Sequence, residues 1–225
     1  MLRFDVVPGI EIRPMNAPFR LALAVFFTAC GSDAPRFLGD TFSTPPAQDA
    51  ALVTVDPGDA PSLGPASARV VVIEFGDFEC PSCVYEEPIV SQMLSDYAGQ
   101  IRFVFKEFPL TDSHPHAEMA AEAALAANAQ GKFWPFHDVL FANPSALGRP
   151  DLDGYASMLR LDMATFDRAL DQGSFKNAVA ADLAQGESVG VNGTPTLFVN
   201  GLEVYGTPSY ATLKRVIDKQ LATKP

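Results

Sequence analysis

The feature that most restricts this chain is a junction. The run Val70-Val71-Val72-Ile73 is continuous and β-branched, the mark of a strand buried on both faces. It continues through Glu74, Phe75, Gly76, Asp77, Phe78 and Glu79 straight into Cys80-Pro81-Ser82-Cys83. Pro81 suits the first position of a helix, where its missing N–H has no partner to lose. The helix predicted from there extends to about Tyr97 and stops at Gly99. Residues Ile101 to Lys106 alternate and are rich in aromatic and β-branched types, so they form a second strand. The result is a β-α-β unit with two cysteines at its first corner.

That corner has its own chemistry. A cysteine at a helix N-terminus has its thiolate stabilised by unpaired backbone N–H groups and the helix dipole. A thiol pKa lowered from about 8.5 makes a better leaving group and a more oxidising disulfide. Cys80 holds that position, and Cys83, one turn on, is the less exposed partner that resolves mixed disulfides. Half of a zinc site would need two further ligands at suitable spacing. The only other cysteine is Cys30, and the histidines are His114, His116 and His137. No metal and no cofactor are expected. A purely structural disulfide is the alternative.

The rest of the chain supplies a frame. Val53-Thr54-Val55 reads as a short edge strand, and the stretch from Pro57 to Pro65 as turns. Residues 114–189 read as helical, beginning with an Ala-rich helix whose Ala117, Ala120, Ala121, Ala124 and Leu125 share one face. Phe133-Trp134-Pro135-Phe136-His137 opens a second helix; Asp162 and Ser174 are candidate N-caps, and Gly190 is a stop. His114 and His116 read as helix-start and capping residues, and His137 as packing beside Trp134 and Phe141. Thr196 to Val199 is a strand, Asn200-Gly201 a hairpin turn, and Leu202 to Tyr205 the return strand. A last helix from Pro208 to about Leu221 carries Leu213, Val216, Ile217 and Leu221 on one face. The order β-α-β, helical insertion, β-β-α is an α/β architecture: a thioredoxin fold with an inserted helical subdomain over about 114–189.

The N-terminal part reads as an address. The apolar run Leu21–Ala29 follows Arg20 and precedes Cys30. It is about half the ~20 residues that a spanning helix needs, and it reads as a secretory signal. Cys30 after Thr28-Ala29 resembles a lipoprotein cleavage site and is the expected lipidation site. Asp5 and Glu11 fit a signal poorly, which points to Met15 as the true start of a segment ending at residue 29. Residues 30–49 read as a tether rich in Pro, Ser, Thr, Asp and Gly, and 50–225 as the folded domain.

Two separated motifs resemble the DsbA-like thiol–disulfide oxidoreductases. Val72-Ile73-Glu74-Phe75-Gly76-Asp77-Phe78-Glu79-Cys80-Pro81-Ser82-Cys83 is similar to their active-site segment. Val191-Asn192-Gly193-Thr194-Pro195-Thr196-Leu197-Phe198-Val199-Asn200-Gly201 is similar to their second signature. His116-Ala117, Gln130-Gly131-Lys132-Phe133-Trp134 and His137-Asp138 resemble the helical insertion. The resemblance implies that Pro195 is cis and faces the cysteines, with the Thr194 backbone meeting bound peptide. It implies that Glu74 is buried beneath the cysteine pair and assists proton transfer; a solvent-facing strand-edge glutamate is the alternative. Lys106, ending the next strand, is the candidate partner of Glu74. Ser82 stands where strongly oxidising relatives carry histidine, which implies a milder oxidant.

The function these residues imply is oxidation of thiols in exported proteins by a Cys80–Cys83 disulfide, with a separate redox partner that recycles the pair. A reductase or isomerase of the same fold, and a non-catalytic peptide-binding envelope lipoprotein, are the other readings. The implied location is the periplasm or cell envelope, with membrane attachment through lipidated Cys30. A net charge of −11 opposes nucleic-acid binding.

Overall fold

The computed structural model describes residues 52–204 and 206–223. The signal segment, Cys30, the tether and Tyr205 lie outside the described residues. The strands are β1 (Ser62–Leu63), β2 (Val70–Gly76), β3 (Ile101–Glu107), β4 (Thr196–Val199) and β5 (Leu202–Val204). The helices are α1 (Pro81–Asp96), α2 (Ala117–Asn128), α3 (Phe133–Ala142), α4 (Arg149–Met158), α5 (Met163–Asp171), α6 (Lys176–Ser188) and α7 (Tyr210–Ala222). The strands form one sheet in the order β1-β3-β2-β4-β5. β2 and β3 are parallel and the other pairs antiparallel. This is the thioredoxin fold.

The β-branched run lies at the centre of the sheet, covered on both faces. On one face Val70, Val72, Phe103, Leu197 and Val199 pack with Val90 and Met93 of α1 and Leu213 and Ile217 of α7. On the other, Ile73, Phe75, Val104 and Phe198 pack with Phe108, Leu183 and Val191. That alternation follows from the period of two along a strand. It fixes which residues face α1, and so which lie near the cysteines.

The helical subdomain is built around α2. Ala117, Ala120, Ala121, Ala123, Ala124, Ala126 and Ala127 are all buried. The helix is therefore enclosed on more than the single face expected, and small side chains let α3, α4, α5 and α6 close around it. α6 packs on α2 and also closes the rear of the sheet. A Cβ at Gly186 of α6 would lie 2.7 Å from the Phe108 ring and 3.1 Å from Phe75. That approach needs a residue without a side chain.

Local signals divide in the same way. Asp162 caps α5 by accepting from Thr165 N at 2.7 Å. Ser174 does not cap α6; Phe175 holds that place without a side-chain bond. Asn200 and Gly201 take φ of +49° and +80°, as a two-residue hairpin turn requires. Asn200 also accepts from Val71 N at 2.8 Å and donates to Arg69 O at 3.1 Å, which ties the hairpin to the central strand. Val53–Val55 is not a strand: Val53 N makes a single bond to Gly201 O at 2.9 Å. The edge position beside β3 is filled by Ser62–Leu63, inside the stretch read as turns.

Candidate active site

β2 ends at Gly76 and α1 begins at Pro81, so the chain turns once with Cys80 as the N-cap, at φ −73° and ψ 120°. An N-cap side chain faces the free N–H groups of the second and third helical residues. Here those are Ser82 and Cys83, while Pro81 fills the first place. Cys80 occupies the N-cap position, and its thiol makes no cap hydrogen bond of its own. Its thiol pKa is lowered to about 5, first by a hydrogen bond from the Cys83 side chain, then by the Thr194 side chain and the backbone N–H groups of Cys83 and Ser82, against the opposing effect of burial. Burial, with the nearby Cys80 and Glu74, pushes the Cys83 thiol far up. Cys80 keeps 6% of its surface and Cys83 1%. Both are free thiols. The thiol that is easier to ionise is also the more exposed one.

The second motif meets the first at this corner. The Thr194–Pro195 bond is cis, and Cys80 Sγ lies 3.3 Å from Thr194 O. As a thiol, Cys80 donates to that carbonyl; a thiolate has no proton to give. The Thr194 hydroxyl is buried and has no other partner among the described residues, so it is free to donate to the thiolate. Thr196 Oγ1 donates to Gly193 O at 2.8 Å and closes the loop.

Beneath the cysteines lies a set of acids. Glu74 faces α1 and is 1% exposed, so it is not the solvent-facing residue of the alternative reading. Burial raises its pKa first, then the charges of Glu86 and Glu87. Glu86 is fully buried, with both carboxylate oxygens unpartnered among the described residues. Burial, and then Glu87 and Cys80, raise its pKa to about 8. Sequence reasoning missed Glu86 and Glu87. The signal was there: Cys83, Glu86, Val90 and Met93 form the buried stripe of α1 at helical spacing.

Lys106 does not pair with Glu74. The register sets Glu74 beside Phe105 and Leu197, and Phe75 beside Lys106, so the two charged side chains leave opposite faces of the sheet. Lys106 Nζ instead meets Asp182 Oδ1 of α6 at 2.7 Å. A cavity of about 440 Å³ surrounds Lys106, Asp182 and Gln185 on that rear side, and neither Cys80 nor Cys83 lines it.

His116 holds the N-cap position at the start of α2 and His137 packs against Trp134 and Phe141, as expected; the capping role does not hold. His114 and His116 make no side-chain cap for α2. His114 Nδ1 lies 2.7 Å from Asp77 Oδ2, which also accepts from Leu110 N at 2.9 Å. Asp77 Oδ1 accepts from Glu79 N at 2.8 Å, Glu79 Oε2 accepts from His116 N at 2.7 Å, and Cys80 N donates to Asp77 O at 3.1 Å. The turn carrying Cys80 is thus held to the segment before α2 by Asp77, which the sequence did not single out. His137 is buried in an aromatic box, beside a cavity of about 450 Å³ between α1 and α3.

Comparison with known proteins gives the same fold. The thioredoxin family matches residues 57–219. BdbD from Bacillus subtilis is 28% identical, with a TM-score of 0.66 over 73% of this chain and 94% of that one. A thioredoxin-like oxidoreductase from Silicibacter pomeroyi is 30% identical, with a TM-score of 0.66 and the same coverage. A relative named Na(+)/H(+) antiporter NhaA 1, from Salinispora arenicola, is 42% identical over 76% of this chain and 26% of its own length. The chain thus spans about a quarter of that relative, whose name describes the whole of it. No helix among the described residues is long and apolar enough to cross a membrane.

Proposed function

The chain belongs to the thioredoxin family, and we propose that it is a DsbA-like thiol–disulfide oxidoreductase that donates a Cys80–Cys83 disulfide to thiols of exported proteins. The observation that carries the reading is the unequal pair: Cys80 as an N-cap held near pKa 5, beside a Cys83 that burial keeps protonated.

A substrate thiolate attacks Cys80 Sγ, and the bond between the two cysteines breaks. Its electron pair leaves on Cys83, which takes a proton, and a mixed disulfide joins Cys80 to the substrate. A second substrate thiolate then attacks the substrate sulfur. The substrate disulfide forms and Cys80 leaves as a thiolate. Two electrons have passed to the protein. The stabilised Cys80 thiolate favours the reduced state, which makes the disulfide oxidising. Ser82 gives no added cation beside the thiolate, so the oxidant is a mild one. Glu74, buried on the α1 side, supplies the proton to Cys83. A partner that removes electrons from the dithiol completes the cycle.

The apolar run before Cys30 and the cysteine itself support export to the periplasm or cell envelope, with lipidated Cys30 as the membrane anchor.

The test is stoichiometric. Oxidised protein is mixed with a reduced peptide carrying two thiols, and the peptide disulfide is counted. The proposal expects one peptide disulfide per protein, lost in Cys80→Ser. If the oxidised protein leaves the peptide reduced, and the reduced protein instead opens disulfides in the peptide, the oxidase direction is wrong.

A further inference from the structure

Proton supply to a buried thiolate needs a route. Glu74 is 1% exposed and cannot exchange protons with solvent by itself. The lysine expected beneath it points to the other face of the sheet. What stands on the α1 side is His137. Its side chain is 4% exposed, and its Nε2 has no hydrogen-bond partner among the described residues. That nitrogen lies 3.7 Å from Glu87 Oε1, a gap closed by a small rotation. The other nitrogen, Nδ1, lies 3.1 Å from Oδ1 of Asp138, whose side chain is 74% exposed. The ring thus joins a half-sunk carboxylate to a solvated one.

The remaining walls of the ring are uncharged. Phe78 comes from the turn before Cys80, Phe105 from β3, and Phe133, Trp134 and Phe141 from α3, with centroids 4.8–5.8 Å away. The charged groups facing it are Glu87 of α1 and Asp138 of α3. Glu87 in turn acts on Glu74 and Glu86 through its charge. Glu87, Trp134, His137, Asp138 and Phe141 line the cavity beside the ring. Its lining holds no lysine or arginine.

We propose that His137 is a proton relay for the cysteine pair, passing protons between solvent at the Asp138 side and the Glu87–Glu86–Glu74 carboxyl cluster. The inference rests on the reading that Glu74 protonates Cys83. When the disulfide opens, Glu74 gives its proton to the Cys83 thiolate. The imidazolium of His137 gives one to Glu87, and the cluster passes a proton on to Glu74. His137 is reprotonated from solvent. Imidazole suits the work because one ring nitrogen can take up a proton while the other gives one away. His137 touches no reacting sulfur, so it is a positioning residue.

The experiment uses the full chain, oxidised, and follows reduction of its disulfide by dithiothreitol against pH for the wild type, His137→Phe, His137→Ala and Glu74→Gln. In His137→Phe the aromatic box stays filled. The relay expects its rate at pH 6 to fall more than about tenfold, within what positioned proton transfer supplies, and its pH profile to differ from that of the wild type. The pH midpoint of Cys80 alkylation stays in place. Added imidazole restores the rate of His137→Ala, and pyrrole, of the same ring size but unable to carry protons, does not. A smaller fall in His137→Phe, an unchanged pH profile, or equal rescue by pyrrole overturns the relay. If His137→Phe does not fold, the imidazole and pyrrole comparison on His137→Ala decides alone. Glu74→Gln separates the two ideas. An unchanged profile there rejects the buried-acid reading together with the relay; a changed profile with normal His137 variants rejects the relay alone.

Discussion

Cys80 Sγ lies 3.3 Å from the carbonyl oxygen of Thr194, a residue 114 positions further along the chain. The contact joins the two motifs into one site. It also gives Thr194 two parts: a carbonyl for the thiol and a hydroxyl for the thiolate.

Thr194→Val keeps the carbonyl and removes the hydroxyl. A hydrogen bond to a charged group is worth about 1.5–3 kcal/mol, so the Cys80 midpoint should rise by about one to two pH units. Iodoacetamide labelling of the reduced variant across pH measures it. An unmoved midpoint would assign the effect to Cys83 and the helix amides alone.

Glu86 makes a second prediction, on stability. Its carboxyl is raised from 4.5 to about 8 in the folded protein. The folded state therefore holds a proton that the unfolded state has released. Below about pH 4.5 both states are protonated and the group has no effect. As pH rises from there, stability falls until the folded carboxyl ionises near pH 8. At pH 7 the loss is about 3 kcal/mol, as an order of magnitude. Glu86→Gln should flatten this fall in urea denaturation midpoints between pH 5 and 8. A variant with the slope of the wild type would show that Glu86 is ionised at ordinary pH in the folded state.

The rear face of the sheet supplies a control. Lys106 and Asp182 form a largely buried pair, with side chains 6% and 17% exposed. Lys106→Met leaves Asp182 without its cation, and removing one partner of a buried pair costs about 3–5 kcal/mol. Thermal unfolding should show that loss, while the Cys80 labelling midpoint stays put. A shifted midpoint would place Lys106 in the site after all.

Much of this was legible in the sequence, and the rest was hidden for physical reasons. The β-branched run, Pro81, the cap at Asp162 and the turn at Asn200-Gly201 are local signals, and each acts within a few residues. The edge strand was misplaced because Ser62–Leu63 has little propensity of its own; it pairs because β3 has a free edge. The link between Glu74 and Lys106 failed because the register of parallel strands depends on tertiary packing. One residue of register decides which face a side chain takes. Ser174 is a good cap by type, but the turn at Gly173, with φ +59°, starts α6 one residue later. Asp77 was passed over because its partners, Leu110 and His114, lie far along the chain.

The central claim is that Cys80 is a thiolate at the N-cap position. Thiolate absorbance near 240 nm, recorded on the reduced protein from pH 3 to 10, tests it most directly. The account expects one titration with a midpoint at about pH 5, absent from Cys80→Ser and shifted upward in Cys83→Ala, where the largest stabilising bond is gone. A midpoint near the ordinary thiol value of about 8.5, or a low midpoint that survives in Cys80→Ser, would contradict it.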